Sequence, residues 1–399
     1  MDAVINTMII IIIMLILFFL FVFLVNSLKG INKTIEKTLP VSGEEEGMVN
    51  VQNINDAKIK WTLPTNCRYE VPKIIKDVLK ANNIEQTSQD QHDWHIYVPC
   101  SYNNTQEEIK NIKPTNLNQR LFIVNGADEL GGKNNLWINL VKKYGRNEAK
   151  KLAPLTYILY DVEDLRLLNK EFKKDDIYIM KKNIQRQEGL KLSNNKEEIL
   201  KGFKKGYVVC QELLQNPFLI NDRKINLRFY LLLVCQNNEM SAYVHNNGFM
   251  YYTRLPFKKG VMKEGPNITT GYIERWVYDV NPLTHVDFKN YLKEKKIVED
   301  PSMVFKKIYN LIAKCVKAMD TKVCIGSQIK NNVSFQLFGV DISLDESLNP
   351  MIMEANLGPS IEPFDERDGI VKNSVINDIL KVIKVIPDQD NNGYLRIVG

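Results

Sequence analysis

The stretch FGVDISLDESLNPMIMEANLGPS, residues 338–360, carries the pattern on which the fold assignment rests. Its two apolar runs predict two strands, and the connecting DESLNP has the composition of a turn. Asp341 ends the first apolar run, and Glu354 and Asn356 end the second. Because side chains alternate along a strand, Glu354 and Asn356 lie on one face. Two carboxylates and an amide placed together predict a Mg²⁺ site, since Mg²⁺ prefers carboxylates, water and substrate phosphate.

Neither Asp341 nor Glu354 is sufficient by itself to predict a metal site. Asp341 is also typical of a turn, and Glu354 is also typical of a charge at a strand edge. Their occurrence together, each after an apolar run, favours the metal site over these two separate interpretations.

Basic residues upstream of this hairpin are suited to phosphate. Lys181 lies in the predicted strand IYIMKK, and Lys224 and Arg228 lie four residues apart in RKINLRF, on one face of a strand. Lysine offers a point charge, and arginine offers a planar fork that can hold phosphate or carboxylate through two hydrogen bonds. Any single cation among 53 Lys and Arg residues is more often a solvated surface group. The loop NIQRQEGL, with one glycine, is far short of a phosphate-binding glycine fingerprint.

Composition limits the class of protein. The chain has 399 residues, 44% of them hydrophobic and 25% charged, which is typical of a globular protein with two or three packed units. The net charge of +6 is too diffuse to predict a nucleic-acid partner. Six cysteines without C-x-x-C spacing indicate neither a disulfide scaffold nor a zinc site, so reduced thiols are expected.

The N-terminus predicts a membrane anchor. Residues 8–25, MIIIIIMLILFFLFVFLV, form an uncharged apolar run, and roughly 20 such residues cross a bilayer. Only Asp2 precedes the run as a charge, so a retained anchor is favoured over a cleaved signal peptide or a buried helix. Lys29, Lys33 and Lys37 follow it and predict that the C-terminal side faces the cytoplasm. We expect a single-pass membrane protein whose catalytic region is cytoplasmic.

Helical and strand patterns are mixed from residue 58 onward, which predicts an α+β or α/β fold. Helices are predicted at 71–79, 136–144, 161–172 and 303–319. Strands are predicted in HIYVPC, LFIVNG, IYIMKK, GYVVCQELL, INLRFYLLLV and SAYVHNNGFMYYTRL, in addition to the hairpin at 338–360.

In this order, the motifs resemble those of the tubulin-tyrosine ligase-like family. The similar segments are Lys181, RQEGL, CQELLQNPFLI, RKINLRFYLLLV and the hairpin quoted above, and KKYGRNEAKKLAPLTYILYDVEDL is similar to the family's segment before them. The resemblance covers roughly residues 61–383 and implies an ATP-grasp fold. The apolar run and the composition predict an anchor at 1–30 and a linker at 31–57, and with the resemblance we expect a small mixed α/β domain at 58–175, an ATP-grasp region at 176–385 and a tail at 386–399.

The resemblance also implies the functional residues. Nucleotide contacts are implied for Lys181, Arg186, Gly189, Gln211, Glu212, Leu214, Lys224, Asn226 and Thr269. The implied metal ligands are Asp341, Glu354 and Asn356, holding two Mg²⁺ ions, and the implied catalytic residues are Arg228, Lys181 and Arg254.

Several positions depart from the family pattern. Gln187 replaces the first glycine of the loop, and Asn226 stands where aspartate is usual. Tyr251 replaces an arginine and Thr270 an asparagine, at positions that border the incoming amino acid in the family. We therefore expect Arg254 or Arg228 to take over the capture of the donor carboxylate.

These features predict an ATP-dependent carboxylate–amine ligase that joins an amino acid, of the tyrosine or glutamate type, to a protein carboxylate through an acyl phosphate. The resemblance implies tubulin or another acidic-tailed protein as the partner, together with the free amino acid and the membrane. Two alternatives stay open: a ligase acting on a small molecule, which would differ in the acceptor groove, and a non-catalytic nucleotide-binding module tethered to the membrane.

Overall fold

Two β-sheets organise the part of the chain that the computed structural model describes, namely residues 54, 58–65, 67, 70–100, 105–184, 189–269, 273–388 and 392–399. The larger sheet has eleven strands in these ranges and the smaller has four. The mixed α/β class predicted from the sequence is confirmed.

The large sheet is built around two long strands. Its strands are β1 (Lys60–Thr62), β2 (Glu85–Gln86), β3 (Ile96–Tyr97), β4 (Arg120–Leu121), β9 (Leu219–Ile220), β10 (Arg223–Gln236), β11 (Glu239–His245), β12 (Phe249–Tyr252), β13 (Ser334–Leu344), β14 (Pro350–Leu357) and β15 (Tyr394–Val398). Their order is β15-β11-β10-β13-β4-β3-β1-β2, with β9 and β12 also paired to β10 and β14 paired to β13. All eleven residues of β13 are buried, as expected for a strand covered on both faces.

The small sheet has the order β5-β8-β6-β7. Its strands are β5 (Thr156–Ile158), β6 (Tyr178–Lys181), β7 (Leu190–Ser193) and β8 (Val209–Glu212). All neighbouring strands in it are antiparallel. The strand predicted from IYIMKK is therefore β6, and Lys181 is its last residue.

The described helices are α1 (Lys73–Ala81), α2 (Thr105–Asn111), α3 (Asp128–Gly131), α4 (Lys133–Tyr144), α5 (Arg146–Leu152), α6 (Val162–Glu171), α7 (Lys196–Leu200), α8 (Glu264–Asn267), α9 (Arg275–Val280), α10 (His285–Glu294), α11 (Ser302–Lys317) and α12 (Glu366–Val382). All four helices predicted from periodicity are confirmed within a few residues. In α6, Asp161 accepts a hydrogen bond from the backbone N–H of Asp164 and so fixes the start of the helix. In α11, Val304, Ile308 and Ile312 are buried, as their spacing predicts.

The two ends of the folded region join the same sheet as the central strands. β4 pairs in parallel with β13, Leu121 lying opposite Ser334, and Phe122 stacks on Phe335 with ring centroids 4.7 Å apart. At the other edge β15, which lies within the predicted tail at 386–399, pairs with β11. The predicted small domain at 58–175 thus supplies strands to the sheet that the catalytic segments occupy.

The expectation of unpaired cysteines is wrong. Cys67 is disulfide-bonded to Cys100 and Cys235 to Cys324, with Cα–Cα distances of 5.3 and 5.5 Å. Each bond joins residues distant in sequence, so spacing along the chain gave no signal of the pairing. Cys210 and Cys315 are the free cysteines, and both are buried.

The predicted anchor at 1–30 lies outside the described residues, as does nearly all of the linker at 31–57. Among the residues that are described, no helix is both long and apolar enough to cross a bilayer.

A count of free thiols tests the disulfide pairing. We expect the purified full-length chain, denatured without reduction, to take up two alkyl groups, and six after reduction, because only Cys210 and Cys315 are unpaired. Intact mass spectrometry after alkylation measures this. Replacement of Cys67 by Ser should raise the unreduced count to three by freeing Cys100, and an unchanged count of six in the unreduced wild type would contradict the pairing.

Candidate active site

A cavity of about 660 Å³ is lined by residues of both sheets. Lys181 of β6 and Glu212 of β8 line it from the small sheet. Three residues on one face of β10 line it from the large sheet, namely Lys224, Asn226 and Arg228. The sequence predicted that Lys224 and Arg228 share one face of a strand, and in the structure both line the same cavity.

Three charged residues form one row across the large sheet. Arg228 on β10 lies opposite Asp341 on β13, and Asp341 lies opposite Glu354 on β14. Arg228 donates two hydrogen bonds to Asp341, from Nε to Oδ1 at 2.6 Å and from Nη2 to Oδ2 at 3.0 Å. Asn356 follows on the same face of β14 and donates from Nδ2 to Oε1 of Glu354 at 3.1 Å. The structure thus brings the predicted metal ligands and Arg228 into contact.

The electrostatics of this row are strongly coupled. Burial raises the pKa of Asp341, and the neighbouring Glu354 adds to the increase although Arg228 opposes it. Burial alone would raise the pKa of Glu354, but the ammonium groups of Lys181 and Lys133 hold it below its usual range. Burial would likewise lower the pKa of Arg228, yet Asp341 holds it well above its ordinary value. Two buried carboxylates that face each other are suitable ligands for a metal cation.

Two buried lysines face this row from different strands. Lys181 is 7% exposed and Lys224 is 2% exposed. Burial lowers the pKa of both, and the proximity of Lys181 contributes to bringing the pKa of Lys224 to about 8. Neither lysine forms an ion pair within the described ranges, so each offers its charge to a ligand.

Asn226 and Thr269 also meet on the cavity wall. Nδ2 of Asn226 donates to Oγ1 of Thr269 at 2.8 Å, while the buried Oδ1 of Asn226 has no partner among the described residues. An acceptor oxygen in this position is free for a ligand hydroxyl group.

Three of the residues implied to contact the nucleotide, Gln211, Glu212 and Leu214, do not all line the same cavity. Glu212 lines the large cavity, whereas Gln211 lines a neighbouring space of about 10 Å³ and donates to Oγ1 of Thr156 at 2.8 Å. Leu214 lines a third, more open groove. Because successive residues of β8 point to opposite faces of its sheet, Gln211 and Glu212 cannot share one cavity wall.

The remaining predicted residues lie around the rim or outside the described ranges. Gly189 has a φ of +75° at the base of the loop that follows β6, and its carbonyl accepts from the N–H of Lys182 at 2.9 Å. Arg186 lies in the undescribed part of that loop. Arg254 is exposed and does not line the cavity, and its backbone carbonyl accepts from Nη1 of Arg223 at 2.7 Å.

Sequence reasoning missed several wall residues. Lys133, at the start of α4, lines the cavity, and so does the segment 358–362 that follows β14. Tyr251, noted only as a departure, lies with its ring 4.9 Å from the Arg228 guanidinium, and burial raises its pKa to about 12. The Gly-Gly pair before Lys133 was the available signal, because adjacent glycines often permit close backbone approach.

The donor set fits Mg²⁺. Within the described ranges no cluster of three or more His, Cys, Asp or Glu side chains is present, so an ion here would be held by Asp341, Glu354 and the amide of Asn356. Mg²⁺ typically binds one or two carboxylates and completes its shell with water and phosphate oxygens. These ligands leave coordination positions for phosphate beside Lys181.

A family model described as the tubulin-tyrosine ligase family matches residues 110–393. The chain belongs to the tubulin-tyrosine ligase family. The match includes β10, β13 and β14 and extends upstream to α4, so the family resemblance inferred from the motifs is confirmed.

Curated relatives of this tubulin-tyrosine ligase family member share low identity with it. A probable tubulin polyglutamylase of Caenorhabditis elegans is 24% identical over 62% of this chain and 60% of its own length. Tubulin glycylase 3B of Drosophila melanogaster is 25% identical over 67% of this chain and 36% of its own. A human tubulin monoglutamylase is 23% identical over 84% of this chain and 28% of its own. The chain therefore spans between about a quarter and three fifths of these relatives.

The lowered pKa of Lys224 predicts that nucleotide binding depends on pH. Only the charged ammonium attracts phosphate, so affinity for Mg-ATP should fall as pH rises through about 8, by at most about tenfold per pH unit. Lys224→Arg keeps its charge over this range and should flatten the profile between pH 7 and 9. Nucleotide titrations at several pH values measure this, and an equally steep decline in Lys224→Arg would exclude Lys224 as the titrating group.

Proposed function

We propose that this chain is an ATP-dependent carboxylate–amine ligase of the ATP-grasp type that joins an amino acid to a protein carboxylate. The observation that supports this most strongly is the row of Arg228, Asp341 and Glu354 facing Lys181 across one cavity. A cation-binding pair next to buried phosphate-binding cations is what phosphoryl transfer requires.

The reaction proceeds in two displacements. The acceptor carboxylate attacks the γ-phosphorus and ADP leaves; the donor amine then attacks the acyl phosphate, and phosphate leaves as the amine loses a proton. When bound, ATP supplies the phosphoryl group and two Mg²⁺ ions neutralise its charge. Lys181 and Lys224 would hold the phosphates, while Asp341, Glu354 and Asn356 would hold the metal. Arg228, oriented by Asp341 and Tyr251, stabilises charge at the acyl phosphate.

The adenine would lie against the small sheet. Ile179, Leu190 and Leu213 give the cavity an apolar wall beside Glu212, as is common in ligand sites that fix an aromatic ring. In this arrangement the phosphates extend from the small sheet toward the large one.

Substitution of Glu354 tests the metal role on which the enzymatic proposal depends. Glu354→Gln should reduce turnover by on the order of a hundredfold, because it removes one preorganised charge at the metal. It should also remove much of the rise in melting temperature that Mg-ATP gives the wild type. The assay follows labelled tyrosine or glutamate into tubulin and pairs it with thermal melts.

Glu346→Gln provides the control on the same hairpin. Glu346 is exposed in the turn between β13 and β14, so its substitution should change neither turnover nor the nucleotide-dependent shift. Retention of both properties in Glu354→Gln would contradict the magnesium assignment.

The proposed acceptor is an acidic protein tail such as that of tubulin. Residues 254–263, which we call the basic loop, contain four exposed cations and no acidic residue; the cations are Arg254, Lys258, Lys259 and Lys263. None of the four forms a side-chain ion pair within the described part of the chain. The basic loop is fixed next to the cavity because Thr253 bridges to Thr269 and the N–H of Leu255 donates to Gly265. An acidic tail passing along it would reach the row containing Arg228.

Charge reversal in the basic loop tests this docking surface. The triple variant Lys258→Glu/Lys259→Glu/Lys263→Glu should raise the KM for tubulin about tenfold or more at low salt, with the KM for ATP unchanged. Steady-state kinetics at two ionic strengths measure this. The matched control reverses Lys293, Lys295 and Lys296, an exposed basic cluster at the C-terminal end of α10 that does not line the cavity. Equal effects of the two triple variants would argue against a specific role for the loop.

The donor is a free amino acid of the tyrosine or glutamate type. Arg228 is assigned to the acyl phosphate, so the exposed Arg254 at the rim is the cation that we propose for the donor carboxylate. Arg254→Ala should then raise the KM of the amino acid more than that of ATP.

We further propose that residues 1–30 anchor the chain in a membrane with the catalytic region in the cytoplasm, where ATP is available. Lys29, Lys33 and Lys37 support this orientation. The Cys67–Cys100 and Cys235–Cys324 disulfides count against this orientation, because a reducing cytoplasm disfavours such bonds. Alkylation inside cells before lysis tests the orientation: modification of only two cysteines would place the catalytic region in an oxidising compartment and contradict it.

A further inference from the structure

The segment 358–364 joins β14 to α12 and borders the end of the cavity where Arg228 lies. Its first five residues line the cavity wall. A Cβ atom on Gly339 of β13 would lie 2.8 Å from Cβ of Pro359 and 2.9 Å from Nη1 of Arg228, so both groups pack against the same point of β13. In the proposed reaction the acyl phosphate forms beside Arg228. The donor amine would therefore approach it through a space that this segment borders.

Two charged residues of α12 hold the far end of this segment by its backbone. Nζ of Lys372 donates to the carbonyl oxygen of Glu362 at 2.7 Å. Oδ2 of Asp368 accepts from the backbone N–H of Phe364 at 2.7 Å. The two side chains also bind each other, since Nζ of Lys372 donates to Oδ2 of Asp368 at 2.8 Å. One ion pair thus satisfies a carbonyl group and an N–H group of the segment at the same time.

This ion pair is almost completely buried. The side chain of Lys372 is 3% exposed and that of Asp368 is 2% exposed. Burial of two charges costs desolvation free energy, and apolar residues of similar volume often give equal or greater stability. The stability of α12 alone therefore does not require an ion pair here. Apolar side chains cannot supply the hydrogen bonds to the two backbone groups of the segment.

The ion pair lies close to Arg228 but outside the cavity wall formed by the described residues. The Lys372 ammonium lies 5.7 Å from the ring centroid of Phe249, and Phe249 lies opposite Arg228 in the pairing of β10 with β12. Burial lowers the pKa of Lys372, and the charge of Arg228 contributes to the decrease. The pair can therefore influence the reaction only through the groups that it holds in place.

We propose that Asp368 and Lys372 are positioning residues for amino-acid transfer: they fix the segment 358–364 where it shapes the approach of the donor amine to the acyl phosphate. This inference deepens the proposed ligase function and rests on it. Nucleotide binding is expected to be nearly independent of the pair, because the lysines proposed to hold the phosphates lie on β6 and β10.

A comparison of amino-acid transfer with nucleotide binding tests the proposal on the full-length chain. Lys372→Met alone would leave the buried Asp368 charge uncompensated and endanger folding, whereas Asp368→Leu/Lys372→Met removes both charges and avoids that cost. The double variant should lower kcat/KM for labelled tyrosine or glutamate by about tenfold or more, because the reacting groups are misplaced. Its affinity for Mg-ATP should stay within about twofold of the wild type. Incorporation of label into tubulin and displacement of a fluorescent nucleotide measure the two quantities.

A second ion pair of α12 provides the matched control. Lys381 pairs with Asp378 at 2.9 Å, and Asp378 also accepts from the backbone N–H of Gly393 at 2.8 Å, away from the cavity wall. Asp378→Leu/Lys381→Met therefore removes the same chemical groups from the same helix. It should leave both kcat/KM for the amino acid and the affinity for Mg-ATP within about twofold of the wild type, and thermal melts verify that both double variants are folded.

The ratio of transfer to nucleotide affinity separates a positioning role from a general structural one. Wild-type kcat/KM in Asp368→Leu/Lys372→Met, with normal Mg-ATP binding, would overturn the inference and leave the proposed function standing. Equal losses of transfer and of nucleotide affinity, or the same loss of transfer in the control, would also overturn it. Absence of amino-acid transfer by the wild type would instead refute the proposed function itself.

Discussion

The two hydrogen bonds from Arg228 to Asp341 are the interaction on which the remaining features of the site depend. Both groups are at most 9% exposed, so each carries a large desolvation cost that only the other, in bidentate geometry, can offset. The pair sits on the two longest strands, β10 and β13, whose register is fixed by their continuous apolar cores. Breaking one partner would leave an uncompensated charge in the centre of the sheet. The same pairing orients Asp341 toward Glu354 and leaves Arg228 covered by Tyr251.

Features within one strand or helix could be predicted from the sequence, because apolar and polar residues repeat with the period of that element. The hairpin at 338–360, the face shared by Lys224 and Arg228, and helices such as α11 all follow from spacing of two or of three to four residues. For these elements the structure adds the register between strands. An example is the irregularity between Asp341 and Ile342 in the β13–β14 pairing, where Asp341 lies opposite Glu354. The mixed α/β class and the Asp341, Glu354 and Asn356 set were therefore predictable.

What the sequence could not provide is proximity between distant segments. The Gly-Gly pair before Lys133 is a local signal, but its meaning is clear only when Gly131 is seen against Leu357. The cysteine pairs show the same limit, because each joins segments that no periodic pattern relates. Gln211 illustrates a subtler limit. Its strand was recognised, but the partner of its side chain depends on the pairing of β8 with β5, where Gln211 lies opposite Thr156 and bonds it.

The parallel pairing of β4 with β13 has a consequence for how the chain acquires its structure. Leu121 and Ser334 pair across most of the folded sequence, and Arg228 and Asp341 are 113 residues apart. Such non-local contacts pay loop-closure entropy before they gain stability, so folding is expected to be slow. Until β13 pairs with β10, the apolar residues of β10 have no partner strand on that side. An unpaired apolar edge of this kind is prone to aggregation. The central strand is therefore the segment most in need of protection by chaperones while the protein is being made.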